Sequence, residues 1–215
     1  MINVKNLSIK YGKRIILNDI NLSLKPGDRV AILGKNGTGK TSLAETIAGV
    51  RALQKGTVEI DPIYKNNTRV LFQDVNFDSD LNLKQLFYFY LRICNIFDKE
   101  LEKTAFVKYE LDHVKNKKFK KLSGGEKQKF KLMLTLELKP KFLIVDEIST
   151  SLDYEWRSNV LKIIKNYLRN NEDVILLIIS HDEKEIRALT DKYYLIEDQS
   201  LDPINNLDSL FKTIE

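Results

Sequence analysis

The strongest constraint on what this chain can fold into lies in residues 29–49. A short apolar run (RVAIL, 29–33) passes into GKNGTGKT (34–41) and then into a stretch with helical spacing (KTSLAETIAG, 40–49). Gly34, Gly37 and Gly39 let the backbone curl so that successive N–H groups converge on one point. A strand before the loop and a helix after it place that point at a strand's carboxyl end, where the helix N-terminus adds positive potential. In this setting the pattern G-x-x-x-x-G-K-[ST] predicts a cradle for the α- and β-phosphates of a nucleotide. Lys40 is expected to span the β- and γ-phosphates, and the Thr41 hydroxyl to ligate Mg²⁺.

The rest of the chain supplies the sheet such a loop needs. Residues 69–72 (RVLF), 142–145 (FLIV) and 174–179 (VILLII) are near-continuous aliphatic runs that predict strands covered on both faces, as in a parallel α/β sheet. The first 30 residues alternate instead. Residues 2–11 and 19–25 predict antiparallel strands joined through Gly12 and turned at 26–28 (PGD). Between residues 72 and 141 the pattern turns helical, with helices predicted over 83–97 and over 125–139, the second stopping before Pro140. The expected architecture is an α/β P-loop core with a mostly parallel sheet and an amino-terminal antiparallel β subdomain (1–73 and 140–215). A helical subdomain is inserted over 74–139. The aromatics Phe87 to Tyr90 cannot share one helix face, so some should reach the surface and offer a docking place.

Composition excludes more than it assigns. With 215 residues the chain can bury one core and a small lobe. No apolar run is long enough to span a bilayer, and the start MINVKNLSIK does not read as a signal peptide. The single cysteine, Cys94, rules out an internal disulfide, fits a reducing cytosol, and is expected to act as a small buried hydrophobe on a helix. The net charge of +5 comes from lysine, and the densest run (KNKKFKK, 115–121) has one aromatic and no arginine. That reads as a solvated face rather than a nucleic-acid surface.

Three further features carry chemistry. Adjacent carboxylates end the run FLIVDE (142–147): Asp146 suits the Mg²⁺ shell and Glu147 the attacking water. Gln73 and His181 end their own strands the same way. If these strands are parallel neighbours, all converge on one sheet edge, with Gln73 on the metal or water and His181 on the γ-phosphate. Finally KLSGGEKQK (121–129) opens a helix with Ser123, Gly124, Gly125 and Glu126. A serine hydroxyl, an unobstructed glycine N–H and a positive helix end suit a γ-phosphate.

Taken in order, GKNGTGKT, Gln73, LSGGE, LIVDE, SLD (151–153) and His181 resemble an ABC-type ATPase subunit over nearly the whole chain. The resemblance implies that the LSGGE element serves not its own phosphate loop but the ATP of a second copy. Two cassettes, identical or different, would then clamp two ATP molecules head to tail. It also implies that Tyr11 stacks on adenine, and that Asp153 crosses to the opposite monomer. Asn36 contacts that monomer too, while Lys35, Thr38 and Ser42 complete the phosphate loop. The partners implied are a second ATPase subunit and an integral membrane subunit on a separate chain, with no nucleic acid. The membrane subunit would be gripped near Gln73 and the aromatic helix. The expected place is the cytoplasmic face of the cell membrane. The chain ends soon after YYLIED (193–198), without room for an appended regulatory domain, which suggests a bacterial exporter of drugs, peptides or lipids. The alternative is an ABC-type ATPase without a channel, in cofactor assembly, DNA maintenance or regulation. A GTP switch would need Asn-Lys-x-Asp, and NKKF (116–119) lacks the aspartate. Ile148 stands where the family has proline, Ser151 where it has glycine, and Lys129 where arginine is frequent. These departures bear on the geometry of the turn from Glu147 to Asp153 and remove no reacting group.

Overall fold

A computed structural model describes residues 1–71, 77, 80–96, 98–147 and 154–208, apart from the side chains of residues 99, 154 and 155. Two predicted site residues, Gln73 and Asp153, lie outside the described residues, as does the turn holding Ile148 and Ser151.

The described strands form two sheets. In the larger, the order is β5 (Thr68–Leu71), β6 (Phe142–Asp146), β7 (Ile175–Ile179), β3 (Arg29–Leu33), β8 (Lys192–Glu197) and β9 (Ser200–Ile204). Every pairing is parallel except β8 with β9. Because β3, β6 and β7 are adjacent and parallel, the loops at their carboxyl ends all open on one edge. The smaller sheet is antiparallel, in the order β2 (Arg14–Leu24), β1 (Ile2–Tyr11), β4 (Lys55–Ile60). Strand β2 begins at Arg14, before the predicted start at residue 19. Asp19 takes a left-handed φ of 58° within it, and the register with β1 slips there, which breaks the alternation a sequence reading follows.

The central strands explain themselves by their period. In β3, Val30 and Ile32 face the cluster shared with β1, β2 and the helix α1 (Lys40–Ile47), while Ala31 and Leu33 face the helical side. In β6, Phe142 and Ile144 join the first cluster, and Leu143 and Val145 the second. Both faces are apolar because both are covered, so the runs show no alternation. Each fully buried Leu or Ile here contributes about 1.5–3 kcal/mol relative to exposure.

On the helical side, α3 (Leu83–Ile93), α4 (Lys99–Lys108), α5 (Gly124–Glu137) and α6 (Tyr154–Asn170) pack around Phe87, Phe106, Tyr109 and Phe130. Short α2 (Pro62–Asn66) precedes β5, and α7 (Glu183–Leu189) follows β7. Helix α3 ends well before the predicted residue 97, because Asn95 adopts a left-handed φ of 54° that closes it. Cys94 is the C-cap of that helix and half-buried rather than fully buried, with Arg69 Nη2 donating to its Sγ at 3.2 Å. Of the four aromatics, Phe87 is buried edge-on against Phe106, whereas Phe89 is half exposed. Several lysines of the 115–121 run are engaged within the chain, Lys115 with Asp112, and Lys118 and Lys120 with Asp80. Among the described residues no helix is long and apolar enough to cross a membrane.

Candidate functional site

The carboxyl edge of the large sheet carries a cavity of about 520 Å³. Three layers of the fold line it: Tyr11, Arg14 and Ile16 from β1 and β2, the loop from Asn36 to Ser42, and Asp146, Glu147, Ile179 and His181 from the ends of β6 and β7. Ten predicted residues meet there: Tyr11, Asn36, Gly37, Gly39, Lys40, Thr41, Ser42, Asp146, Glu147 and His181. Gly34, Lys35 and Thr38 form the outer turn of the loop. There the Lys35 carbonyl accepts hydrogen bonds from Thr38 Oγ1 (2.9 Å) and Lys40 Nζ (2.9 Å), and the Gly34 carbonyl accepts from Lys40 Nζ at 2.7 Å.

Gly39 sits at the helix boundary with φ 101°, a left-handed conformation that aims the first N–H groups of α1 into the cavity. Lys40 follows, its side chain almost wholly buried. Burial lowers its pKa, with Asp146 and then Glu147 acting in the opposite direction. Thr41 Oγ1 donates to Asp146 Oδ2 at 2.7 Å, joining the first turn of α1 to the end of β6. Asp146 is buried, and that burial raises its carboxyl pKa despite the Thr41 hydrogen bond.

Glu147 leaves the strand with a left-handed φ of 52°, and its N–H donates to the Ile179 carbonyl at 2.9 Å. A non-glycine residue in that region is uncommon, and such strain concentrates at functional positions. Its carboxylate Oε1 stands 3.9 Å from His181 Nε2. His181 is presented by a turn held from below: Ser180 Oγ donates to Glu185 Oε2 at 2.6 Å and accepts from the Asp182 N–H, while Asp182 caps α7.

The second glycine motif lies elsewhere. Ser123 is the N-cap of α5, its Oγ accepting from the Glu126 N–H (3.2 Å) while Glu126 Oε2 accepts from the Ser123 N–H (2.8 Å). This reciprocal capping box pins the helix start and, chiefly through the Ser123 N–H, lowers the Glu126 pKa. Ser123, Gly124, Gly125 and Glu126 do not line the cavity. Gly124 faces open space, where an added Cβ would meet nothing within 4 Å.

Arg14, Ile16, Arg51 and Glu45 were not singled out by sequence. Arg14 lies opposite Tyr11 in the β1–β2 register, so the signal was present only once that pairing was known. Arg51 donates to Glu45 Oε2, six residues away, and to the Tyr11 phenol oxygen, 40 residues away, a separation no local pattern encodes.

This site on this sheet defines a P-loop nucleoside-triphosphatase fold, elaborated by an antiparallel β subdomain and a set of helices. Residues 17–150, more than half of the chain, match the family described as ABC transporter, and the chain belongs to that family. An energy-coupling factor transporter ATP-binding protein of Aster yellows witches'-broom phytoplasma is 32% identical over 85% of this chain and 70% of its own length. An Fe(3+) ions import ATP-binding protein of Fusobacterium nucleatum is 29% identical over 92% of this chain and 56% of its own. A spermidine/putrescine import ATP-binding protein of Haemophilus influenzae is 27% identical, over 91% and 55%. The chain thus spans little more than half the length of the latter two. A solved ATP-binding subunit of an ABC transporter superposes with a TM-score of 0.85 at 20% identity, covering 100% of this chain and 93% of that one. The dimeric ATP-binding cassette MJ0796, bound to ADP and Pi, gives 0.79 at 21%, covering 94% and 96%. At these identities the two structures establish the fold.

Proposed function

We propose that this chain is the ATP-binding and ATP-hydrolysing subunit of a membrane transporter, working head to tail with a second cassette so that each nucleotide is shared. The observation that carries the reading is the convergence of Lys40, Thr41, Asp146, Glu147 and His181 in one cavity beside the glycine loop. The loop N–H groups and Lys40 bind and orient the phosphates. To do so Lys40 exchanges its carbonyl partners on Gly34 and Lys35 for phosphate oxygens, a small rearrangement of a residue already in place.

The Thr41 hydroxyl and Asp146 carboxylate are hard oxygens in contact, a donor set that fits Mg²⁺. A divalent cation is also the partner that favours the ionised form of a carboxylate raised by burial. When bound, Mg²⁺ would supply charge neutralisation on the phosphoryl oxygens. Gln73 is assigned to the same shell. Glu147, held at the strand end by its own N–H, polarises the attacking water, and His181 beside it fixes the γ-phosphate. Tyr11 receives the adenine. Ser123 and Gly125 of the second copy close the site, with Asn36 and Asp153 at the junction between copies. Ser123 is exposed at the start of α5, and neither it nor Gly125 lines the cavity of its own chain, which supports that arrangement.

The membrane-spanning part is assigned to a separate chain, docking at the aromatic surface of α3 that half-buried Tyr88 and exposed Phe89 line, and placing this subunit at the cytoplasmic face. Two of the three relatives are named as import proteins and none as an exporter. Uptake is therefore the direction these names support, and the expectation of export finds no support among them.

Glu147→Gln tests the reading. The substitution keeps size and hydrogen bonding but removes the charge that polarises water, so turnover should fall about 100-fold or more. ATP binding should persist and a nucleotide-dependent dimer accumulate, read by size-exclusion chromatography with ATP. Turnover near that of the parent would remove Glu147 from this role.

A further inference from the structure

Tyr11 is not a free ring. The Arg51 guanidinium carbon sits 4.6 Å from its centroid, and Arg51 Nη2 donates to its phenol oxygen. That oxygen also shares a 2.9 Å hydrogen bond with Ser42 Oγ. Tyr11 and Ser42 line the cavity and Arg51 does not, so the guanidinium holds the ring from outside the cavity lining.

Arg51 is itself held. Its Nε donates to Glu45 Oε2 at 3.0 Å, and its backbone N–H to the Glu45 carbonyl at 3.1 Å. Glu45 belongs to α1, the helix that the phosphate loop opens. The Tyr11 phenol is therefore tied twice to one helix, through Ser42 in its first turn and through Arg51 just past its end. Only about a quarter of the Arg51 side chain is exposed, so the cation–ring contact is partly desolvated and stronger than at a free surface. Without these contacts Tyr11, half exposed at the end of β1, would be free to turn away.

We propose that Arg51 is a positioning residue for the nucleotide base: it fixes the Tyr11 ring as a pre-set platform at a constant distance from the phosphate loop. This rests on the nucleotide reading above and adds to it a residue that touches neither phosphate nor base. Pre-setting the ring removes an ordering cost that binding would otherwise carry. The effect must fall on the base half of the ligand alone.

The test is calorimetric titration of the full chain with MgATP and, separately, with magnesium tripolyphosphate, which has the phosphates and no base. Arg51→Ala is expected to weaken ATP about five- to tenfold and to leave tripolyphosphate within about twofold. Arg51→Lys should fall between, since it keeps the charge but not the planar fork. In the Tyr11→Ala background, Arg51→Ala should add nothing, because its target is gone. Equal loss of ATP and tripolyphosphate, unchanged ATP affinity, or additive losses in the double variant would each overturn the proposal. Should Arg51→Ala not fold, Tyr11→Phe keeps the ring, removes the hydroxyl bonded to both Arg51 and Ser42, and must show the same selective loss. If the parent bound neither ligand, the nucleotide reading would fail. If it bound both and Arg51→Ala were silent, only this inference would fail.

Discussion

Two glycines of the loop 34–41 make a controlled experiment. Gly37 (φ 79°) and Gly39 (φ 101°) both occupy left-handed backbone, so an alanine at either site bears a conformational cost of about 1–2 kcal/mol. Their surroundings differ. A Cβ at Gly37 would meet nothing within 4 Å, whereas one at Gly39 would stand 2.6 Å from Ile16 Cγ2 and 3.2 Å from Leu17 Cγ. Ile16 Cγ2 is a branch on Cβ rather than the tip of a flexible chain, and Leu17 beside it is fully buried, so neither gives way cheaply. Overpacking of this kind adds about 1–3 kcal/mol. Gly37→Ala should therefore cost about 1–2 kcal/mol and Gly39→Ala about 2–5 kcal/mol. For a chain of this size those become losses of about 2–8 °C and 4–20 °C in melting temperature. The measurement is urea unfolding of the nucleotide-free protein, checked by thermal melts. Removing the obstructing methyl by Ile16→Ala in the Gly39→Ala background should recover part of the loss, a non-additivity expected of residues in contact. Equal destabilisation by the two alanines would refute the reasoning, since contact with β2 would then count for nothing.

Asp146→Asn should stabilise the metal-free protein. The folded pKa of Asp146 is raised, so its contribution is fully present below the unfolded value near 3.8 and is lost as pH rises through the folded value. At neutral pH the buried charge is thus a cost, and Asn, which can still accept from Thr41, should raise stability by about 1 kcal/mol while abolishing stabilisation by MgATP. At pH 3 the two proteins should melt alike. Glu126 has the opposite sign. Its pKa is lowered, so its contribution is present above the ordinary value of 4.5 and fades as pH falls through the folded one. Glu126→Gln keeps the capping acceptor without the titration, and should flatten the acid limb of the stability profile by about 0.5 kcal/mol. An acid limb unchanged by the substitution would place the loss elsewhere.

What the sequence determined alone was everything encoded within a turn or two of chain. The loop 34–41 announces itself because its glycine spacing, lysine and threonine all fall within one short segment. The buried runs around Val30, Ile144 and Leu177 were legible because a strand covered on both faces shows an unbroken apolar pattern. Ser123 and Glu126 declared a helix start for the same local reason, their capping box spanning three residues. Tertiary structure decided what local pattern cannot carry. The hydrogen bond from Thr41 to Asp146 joins residues 105 apart, and only the adjacency of β6, β7 and β3 brings carboxylate, histidine and loop to one edge. The end of α3 and the bulge within β2 were set by the left-handed residues Asn95 and Asp19, which interrupt otherwise uniform patterns. The clamp of Arg51 on Tyr11 had no sequence signature, because a cation finds a ring across 40 residues only after the sheet has been packed on the helix.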